Sequence, residues 1–269
     1  LRDAFWLPAV SLWRREMVRF FRQPSRIVGS LGTPFLFWLL LAAGLGPSFR
    51  PLSSETGSFA YFLPGALALV LLFTSIFANI SVIEDRREGF LQSVLVAPVP
   101  RTAVVVGKVL GAATIAVLQG GALLAAAAAG GVDVSRADPI AAVAAVLTLA
   151  VGVSALGFSF AWQLESIQGF HGVMNLLLMP MWVLSGALFP LDGLPRVLDA
   201  LVRLNPVTYG LAWIRHSLGG GGTDLPAPGT AAAVSVLFAA AALAAAALAA
   251  RGAPGEGPLR RWIRPRGSS

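Results

Sequence analysis

Hydrolytic chemistry needs a nucleophile with a base in reach. The chain offers Ser154, Ser159 and Ser185 as nucleophiles and His171 as the nearest base. His171 precedes Ser185 by 14 residues, roughly 21 Å along a helix, so those two cannot pair within one element. Ser154 and Ser159 lie in the preceding antiparallel span, where Ser159 could come nearer His171, and nothing else in the sequence supports catalysis. Two histidines and no cysteine leave neither a His-rich metal site nor thiol or disulfide chemistry. The stretch GKVLG at 107–111 lacks the glycine-rich approach and the Lys-Ser/Thr ending of a phosphate loop. An ion relay would show ionised side chains at mid-membrane. The apolar segments hold Asn79, Gln119 and Asn175, with Lys108 near one end, and each reads as a single polar residue. The richest cluster is Glu84-Asp85-Arg86-Arg87-Glu88, followed by Gly89 and the segment from Phe90 to Val96. Five consecutive charges in such a chain suit recognition and topology better than bond making.

The elements that must position this cluster follow from composition. Of the 269 residues, 56% are hydrophobic and 12% charged, about half the charge of an ordinary soluble domain. Mean hydropathy is +0.75. A membrane span needs about 20 apolar residues, and in lipid it must be helical to satisfy its backbone. Six segments fit: 27–46, 59–82, 103–130, 139–162, 169–189 and the alanine-rich 227–250. The expected fold is therefore an all-α polytopic membrane protein with six transmembrane helices. Residues 1–26 are too charged for the apolar region of a secretory signal. Gly107 and Gly111, four apart, predict a close helix contact in the third span.

With six spans, 15 of the 20 Lys and Arg fall on one side, together with both termini. That excess marks the cytoplasmic side. The net charge of +7 is then a matter of topology, and nucleic acid is not an expected partner. Before the first span, Trp6, Val10, Trp13, Met17 and Phe20 recur every three or four residues, while Arg14, Arg15, Arg19 and Arg22 take other angles. This pattern predicts a helix lying in the membrane interface over residues 1–26, with Trp at headgroup level and Pro24 at its end. Residues 251–269 form a basic, Gly/Pro-rich tail expected near anionic headgroups. Between spans five and six, the stripe Leu194, Val197, Leu198, Leu201 and Val202 predicts a short amphipathic helix, and the segment around Tyr209 and Trp213 predicts a second. Both are expected to lie at, or dip into, the outer interface, with Asn205 capping and Pro206 starting the second.

Three motifs on this frame resemble the permease subunit of the ABC-2 type exporters. The first is residues 84–91, EDRREGFL, followed by Leu95, Pro98 and Val99. The second is residues 184–190, LSGALFP, which includes Ser185, Gly186 and Pro190, with Pro195 beyond it. The third is residues 204–209, LNPVTY, which includes Asn205, Pro206 and Tyr209, with Arg215 downstream. Phe90 stands where the family usually has Thr, and Gln92 where it has an acid. The resemblance implies a non-catalytic subunit forming half of an export pathway in the bacterial cytoplasmic (inner) membrane. It also implies a second permease copy or close paralogue, surrounding membrane lipid, and two ATP-binding cassette subunits. Cofactors, ATP and Mg, would then belong to those partner subunits. Cargo would be a drug, a lipid or a lipid-linked glycan.

On that reading, residues 84–97 dock on the ATP-binding subunit. Glu84, Asp85, Arg86, Arg87 and Glu88 form a charged rim, Gly89 a break, and Phe90, Leu91, Val94 and Leu95 an apolar face that transmits force. The plainer alternative is a solvated loop whose charges only hold topology. An ion-coupled secondary transporter and a non-transporting assembly subunit are the competing functions.

Overall fold

The computed structural model describes residues 2–45, 58–191, 193–220 and 225–254. The expected loop around Arg50, the middle of the glycine linker and most of the basic tail lie outside the described residues.

The described residues form ten α-helices, most of them apolar stretches bounded by proline, glycine or a capping side chain. They are α1 (Arg2–Phe21), α2 (Pro24–Leu45), α3 (Ser58–Arg87), α4 (Phe90–Val96), α5 (Arg101–Ala129), α6 (Pro139–Gln163), α7 (Ile167–Trp182), α8 (Arg196–Leu204), α9 (Pro206–Ser217) and α10 (Pro228–Ala249). Proline opens α2, α6, α9 and α10, where its missing N–H costs nothing. Asp138 caps α6 by accepting from the Ile140 and Ala141 amides at 3.0 and 3.1 Å. Ser166 caps α7 by accepting from the Gly169 amide at 3.2 Å. A wide turn over Val183–Ala187 ends α7, with Gly186 at φ 84°. At Gly89, φ is 79°, a left-handed conformation that glycine adopts without strain. It separates α3 from α4.

The protein is an all-α polytopic membrane protein. Among the described residues, five stretches are long and apolar enough to cross a membrane: Ala60–Arg87, Arg101–Ala129, Pro139–Gln163, Ile167–Ala187 and Pro228–Ala249. The segment expected as the first of six spans contributes a shorter apolar stretch, Ile27–Leu41 within α2. Burial ranks the helices. The most apolar part of α3 is 89% buried, against 22% for the α7 stretch and 28% for α10. So α3 is the centre, packed by α2, α5 and α6, and the outer helices α7 and α10 keep apolar faces exposed. Helix contacts tighten at small residues, as expected at 107–111. A Cβ on Gly107 would meet the Ala9 carbonyl at 2.7 Å, and one on Gly111 the Glu16 side chain at 2.9 Å. The partner across that contact is α1.

The helices place two groups of connections at opposite ends. One end holds α4, the turn at 164–166 and residues 250–254. The other holds the loop at 130–138 and the ends of α7 and α9, joined where the Asp138 amide donates to the Ser217 carbonyl at 2.8 Å.

Candidate functional site

The charged cluster is not a separate loop. Helix α3 runs unbroken through Arg87, so Glu84 to Arg87 form its last turn. This continuity fixes where each charge points. Asp85, with a fully buried side chain, turns inward. Its Oδ2 accepts from Arg15 Nη1 at 2.6 Å and its Oδ1 from Arg19 Nη1 at 3.0 Å, both from α1. Lys108 of α5 donates to Asp85 as well. The Lys108 ammonium also donates to Glu16 Oε1 at 2.6 Å and Ser81 Oγ at 3.2 Å. Arg19 extends the network outward to Glu84 at 3.3 Å and Glu88 at 3.6 Å. Three helices are thus bolted together by buried, complementary charges. Burial opposes the Arg15 charge, but the hydrogen bond and negative charge of Asp85 outweigh it and hold that guanidinium's pKa above its usual value.

Arg86 and Arg87 reach a different neighbour. Arg86 Nη1 donates to the Trp162 carbonyl at 3.0 Å and its Nη2 to that of Leu164, while Arg87 donates to the Glu165 carbonyl at 2.8 Å. The Trp162 and Leu164 carbonyls are orphan acceptors at the end of α6, and Glu165 lies in the turn just beyond. Arg101, opening α5, treats the end of α10 likewise, donating to the carbonyls of Ala250, Arg251 and Gly252 at 2.6–3.1 Å. Arginine at a helix C-terminus is also favoured by the helix dipole.

Helix α4 continues from the cluster. Leu91 is buried, and Phe90, Val94 and Leu95 pack against the core. The apolar face expected to meet a soluble partner therefore meets this chain's own helices. The reason is that Gly89 folds α4 back under the bundle, so its apolar side finds cover there. Gln92, Ser93 and Val96 form the exposed side, Val96 at 87%. The Arg15 guanidinium lies 3.7 Å from the Phe90 ring centroid, a cation–π contact that ties α1 directly to α4.

On α1, Trp6 and Arg14 are exposed, and Met17 is half-buried. Trp13 donates to Thr114 Oγ1 at 3.1 Å. The face turned to α5 is Ala9, Leu12, Glu16 and Phe20. Glu16 is the residue sequence reasoning missed. Its signal was a lone acid on an otherwise apolar side of a helix, matched by a lone lysine in a span.

The second and third motifs come together at the opposite end. Ser185 Oγ donates to the Trp182 carbonyl at 2.6 Å. The Gly186 carbonyl accepts from Arg215 Nη2 at 3.0 Å, and that guanidinium lies 5.0 Å from the Tyr61 ring centroid. Asn205 caps α9, accepting from the Val207 amide at 3.1 Å, and donates to the Met181 carbonyl at 2.6 Å. Tyr209 donates to the Arg203 carbonyl at 2.9 Å. Pro195 precedes α8 and Pro190 is exposed. One face of α9 is buried, including Val207, Leu211 and Ile214, more than a helix resting on a surface would show.

Of the single polar residues of the spans, Asn79 and Gln119 are not isolated, while Asn175 is exposed. Thr74 donates to Gln119, Ser75 and Ser154 hydroxyls pair at 3.1 Å, and Asn79 donates to the carbonyls of Ser75 at 2.7 Å and Ser154 at 3.2 Å. Ser159 donates to the Ala155 carbonyl at 2.9 Å. His171 stands edge-on to Phe77 with ring centroids 5.6 Å apart. The serines thus serve helix packing, and the histidine an aromatic contact. Among the described residues no group of three His, Cys, Asp or Glu side chains is placed to hold a metal ion.

Comparison with known proteins agrees with the architecture. Residues 9–218 match the family model described as ABC-2 type transporter. The chain belongs to that family. Among its relatives is ycf38 of Cyanophora paradoxa, 26% identical over 208 residues, covering 76% of this chain and 71% of that protein. Nodulation protein J of Rhizobium leguminosarum bv. trifolii is 26% identical over 215 residues, covering 77% and 79%. Nodulation protein J of Sinorhizobium fredii is 28% identical over 250 residues, covering 88% and 91%. This chain is accordingly a permease-type membrane component of an ABC transporter system, the non-catalytic transmembrane subunit typical of the family.

Proposed function

We propose that this permease forms half of an ATP-driven export pathway for a hydrophobic or amphipathic cargo, and that α4 with the end of α3 is its contact with an ATP-binding subunit. The observation that carries the proposal is the buried Asp85 junction. It fixes the last turn of α3 to α1 and α5, and Arg15 links the same junction to Phe90 at the start of α4. A push on the exposed side of α4 would then be carried into three helices at once instead of being lost in a hinge.

In this reading α2 is the first of six spans and both termini are cytoplasmic, in a bacterial inner membrane. Residues 1–26 form the interfacial helix, 27–250 the transmembrane domain, and 251–269 a basic tail. Helices α8 and α9 form a re-entrant hairpin at the outer face, supported by Gly210 packing on Leu149, well inside α6. A second copy or close paralogue supplies the other half of the pore. Two ATP-binding subunits carry ATP and Mg. Their closure displaces α4, the halves part, and hydrolysis resets them.

Photo-crosslinking tests the docking claim. A photoreactive residue at Val96, in native membranes, is expected to yield an adduct whose mass spectrum identifies an ATP-binding cassette protein. The same residue at Leu204, 80% exposed at the other end, is expected to yield none. Adducts at Leu204 and none at Val96 would overturn the reading.

A further inference from the structure

Helix α1 has three faces. Ala9, Leu12, Glu16 and Phe20 are turned to the bundle. Trp6, Leu7, Val10, Val18 and Phe21 are large apolar residues left 47–68% exposed. Beside them runs a shallow groove lined by Ser11, Arg14, Arg15, Val18, Arg19, Arg22 and Gln23. The groove is therefore basic, with Val18 as its apolar lining residue, and the exposed apolar residues of α1 adjoin it.

Its four arginines are not equivalent. Arg15 and Arg19 are held by Asp85, and Arg19 also by Glu84 and Glu88. Those acids already answer their charge. Arg14 and Arg22 are exposed and make no ion pair or hydrogen bond among the described residues. At eight residues apart they are about 12 Å apart along the axis and flank Val18 on the same side of the helix. Long guanidinium arms can close that distance over a single tetrahedral anion. Arginine is the side chain best shaped for phosphate, which it meets with two parallel N–H donors.

We infer that the groove over Val18, between Arg14 and Arg22, binds the phosphate of an anionic membrane lipid, whose acyl chains lie along the exposed Leu7, Val10 and Phe21. Charge complementarity selects the phosphate. The adjoining apolar band selects a lipid over a free anion, because only an amphiphile satisfies both the basic groove and the band beside it. Bound there, a lipid anchors α1 in the plane of the headgroups and so holds the Asp85 junction at a fixed depth. The inference rests on α1 lying at the membrane surface, as proposed above.

Native mass spectrometry of the full chain in detergent, titrated with phosphatidylglycerol or phosphatidylcholine, tests the site. Phosphatidylglycerol adducts are expected to be retained in preference. The double substitution Arg14→Gln with Arg22→Gln is expected to weaken that retention about thirtyfold, or about fivefold for each basic residue. Arg14→Lys with Arg22→Lys should keep a large part of it, which separates loss of charge from loss of fold. Equal retention of the two lipids, or an unchanged double glutamine variant, would overturn the site. Displacement by inorganic phosphate at the lipid's concentration would overturn the choice of a lipid and leave a free-anion site. The depth of α1 is read separately. The chain has no cysteine, so a fluorophore on Val10→Cys, quenched by brominated phosphatidylcholine in nanodiscs, reports whether α1 lies at the bilayer surface whatever the headgroup. Quenching without lipid preference would sink the site and spare the interfacial helix; no quenching would sink both.

Discussion

At one end of the bundle, Asp85, Glu16, Lys108, Arg15 and Arg19 bury their charges against one another across three helices. At the other end, Arg203 and Asp199 pair at 2.8 Å within a single exposed helix, with side chains 73% and 42% exposed. Connections described there include carbonyl contacts, such as Asn205 with Met181 and Arg215 with Gly186, the stacking of Arg215 on Tyr61, and apolar packing. A buried ion network resists partial movement, because separating one partner strands a charge in a dry interior. Single hydrogen bonds between neighbouring elements are individually modest and can be exchanged. On the proposed mechanism the first end moves as one body and the second changes its internal arrangement. A transporter levered from one side and opening on the other needs that division.

Substitutions can break or sharpen the contrast. The largest effect is expected from Asp85→Asn, which leaves Arg15, Arg19 and Lys108 around a neutral side chain. Loss of one partner of a buried ion pair costs about 3–5 kcal/mol, so the purified variant should unfold at markedly lower temperature. Next is Gly107→Ala. Its new Cβ would press on the Ala9 carbonyl and on Leu12, forcing α1 from α5 at a cost of about 1–3 kcal/mol. Gly121→Ala, with nothing within 4 Å of its Cβ, should leave the melting temperature unchanged or slightly raised. At the other end Asn205→Ala removes the α9 cap, worth about 1–2 kcal/mol, and should show as a smaller drop in the same assay. Smallest of all, Asp199→Asn should have no measurable effect on melting, since an exposed helix pair is screened by solvent. A ranking in which Asp199→Asn outweighs Asp85→Asn would erase the distinction between the ends.

Much of the helix order was readable because lipid imposes one rule, uninterrupted apolar helices with charges at their ends. Proline and glycine marked the joints at Pro24, Gly89 and Pro206, and Asn205 was recognisable as a cap. Sidedness of individual helices was harder to read. Periodicity put Trp6 and Val10 on the apolar stripe of α1, but an apolar stripe at a membrane surface can face lipid or protein. The structure turns Ala9, Leu12 and Glu16 to the bundle instead, because the small Gly107 and Gly111 on α5 admit them closely. The same ambiguity hid the packing of Phe90 and Leu91. Asp85 looked like one of five equivalent charges, because the cluster was read as a loop beyond the second span, whereas α3 continues through it and aims Asp85 inward. Polar residues along α3 at 74, 81 and 85 were the available hint, a stripe spaced seven and four residues apart that ends on Asp85.

The account turns on the α4 end facing the cytoplasm. Because the native chain has no cysteine, Val96→Cys and Val134→Cys each carry a single thiol, at opposite ends of the bundle. Both can be probed with a membrane-impermeant maleimide in right-side-out spheroplasts and in inverted vesicles. The account predicts that Val96→Cys reacts only in inverted vesicles and Val134→Cys only in spheroplasts. Reaction of Val96→Cys in intact spheroplasts would contradict it.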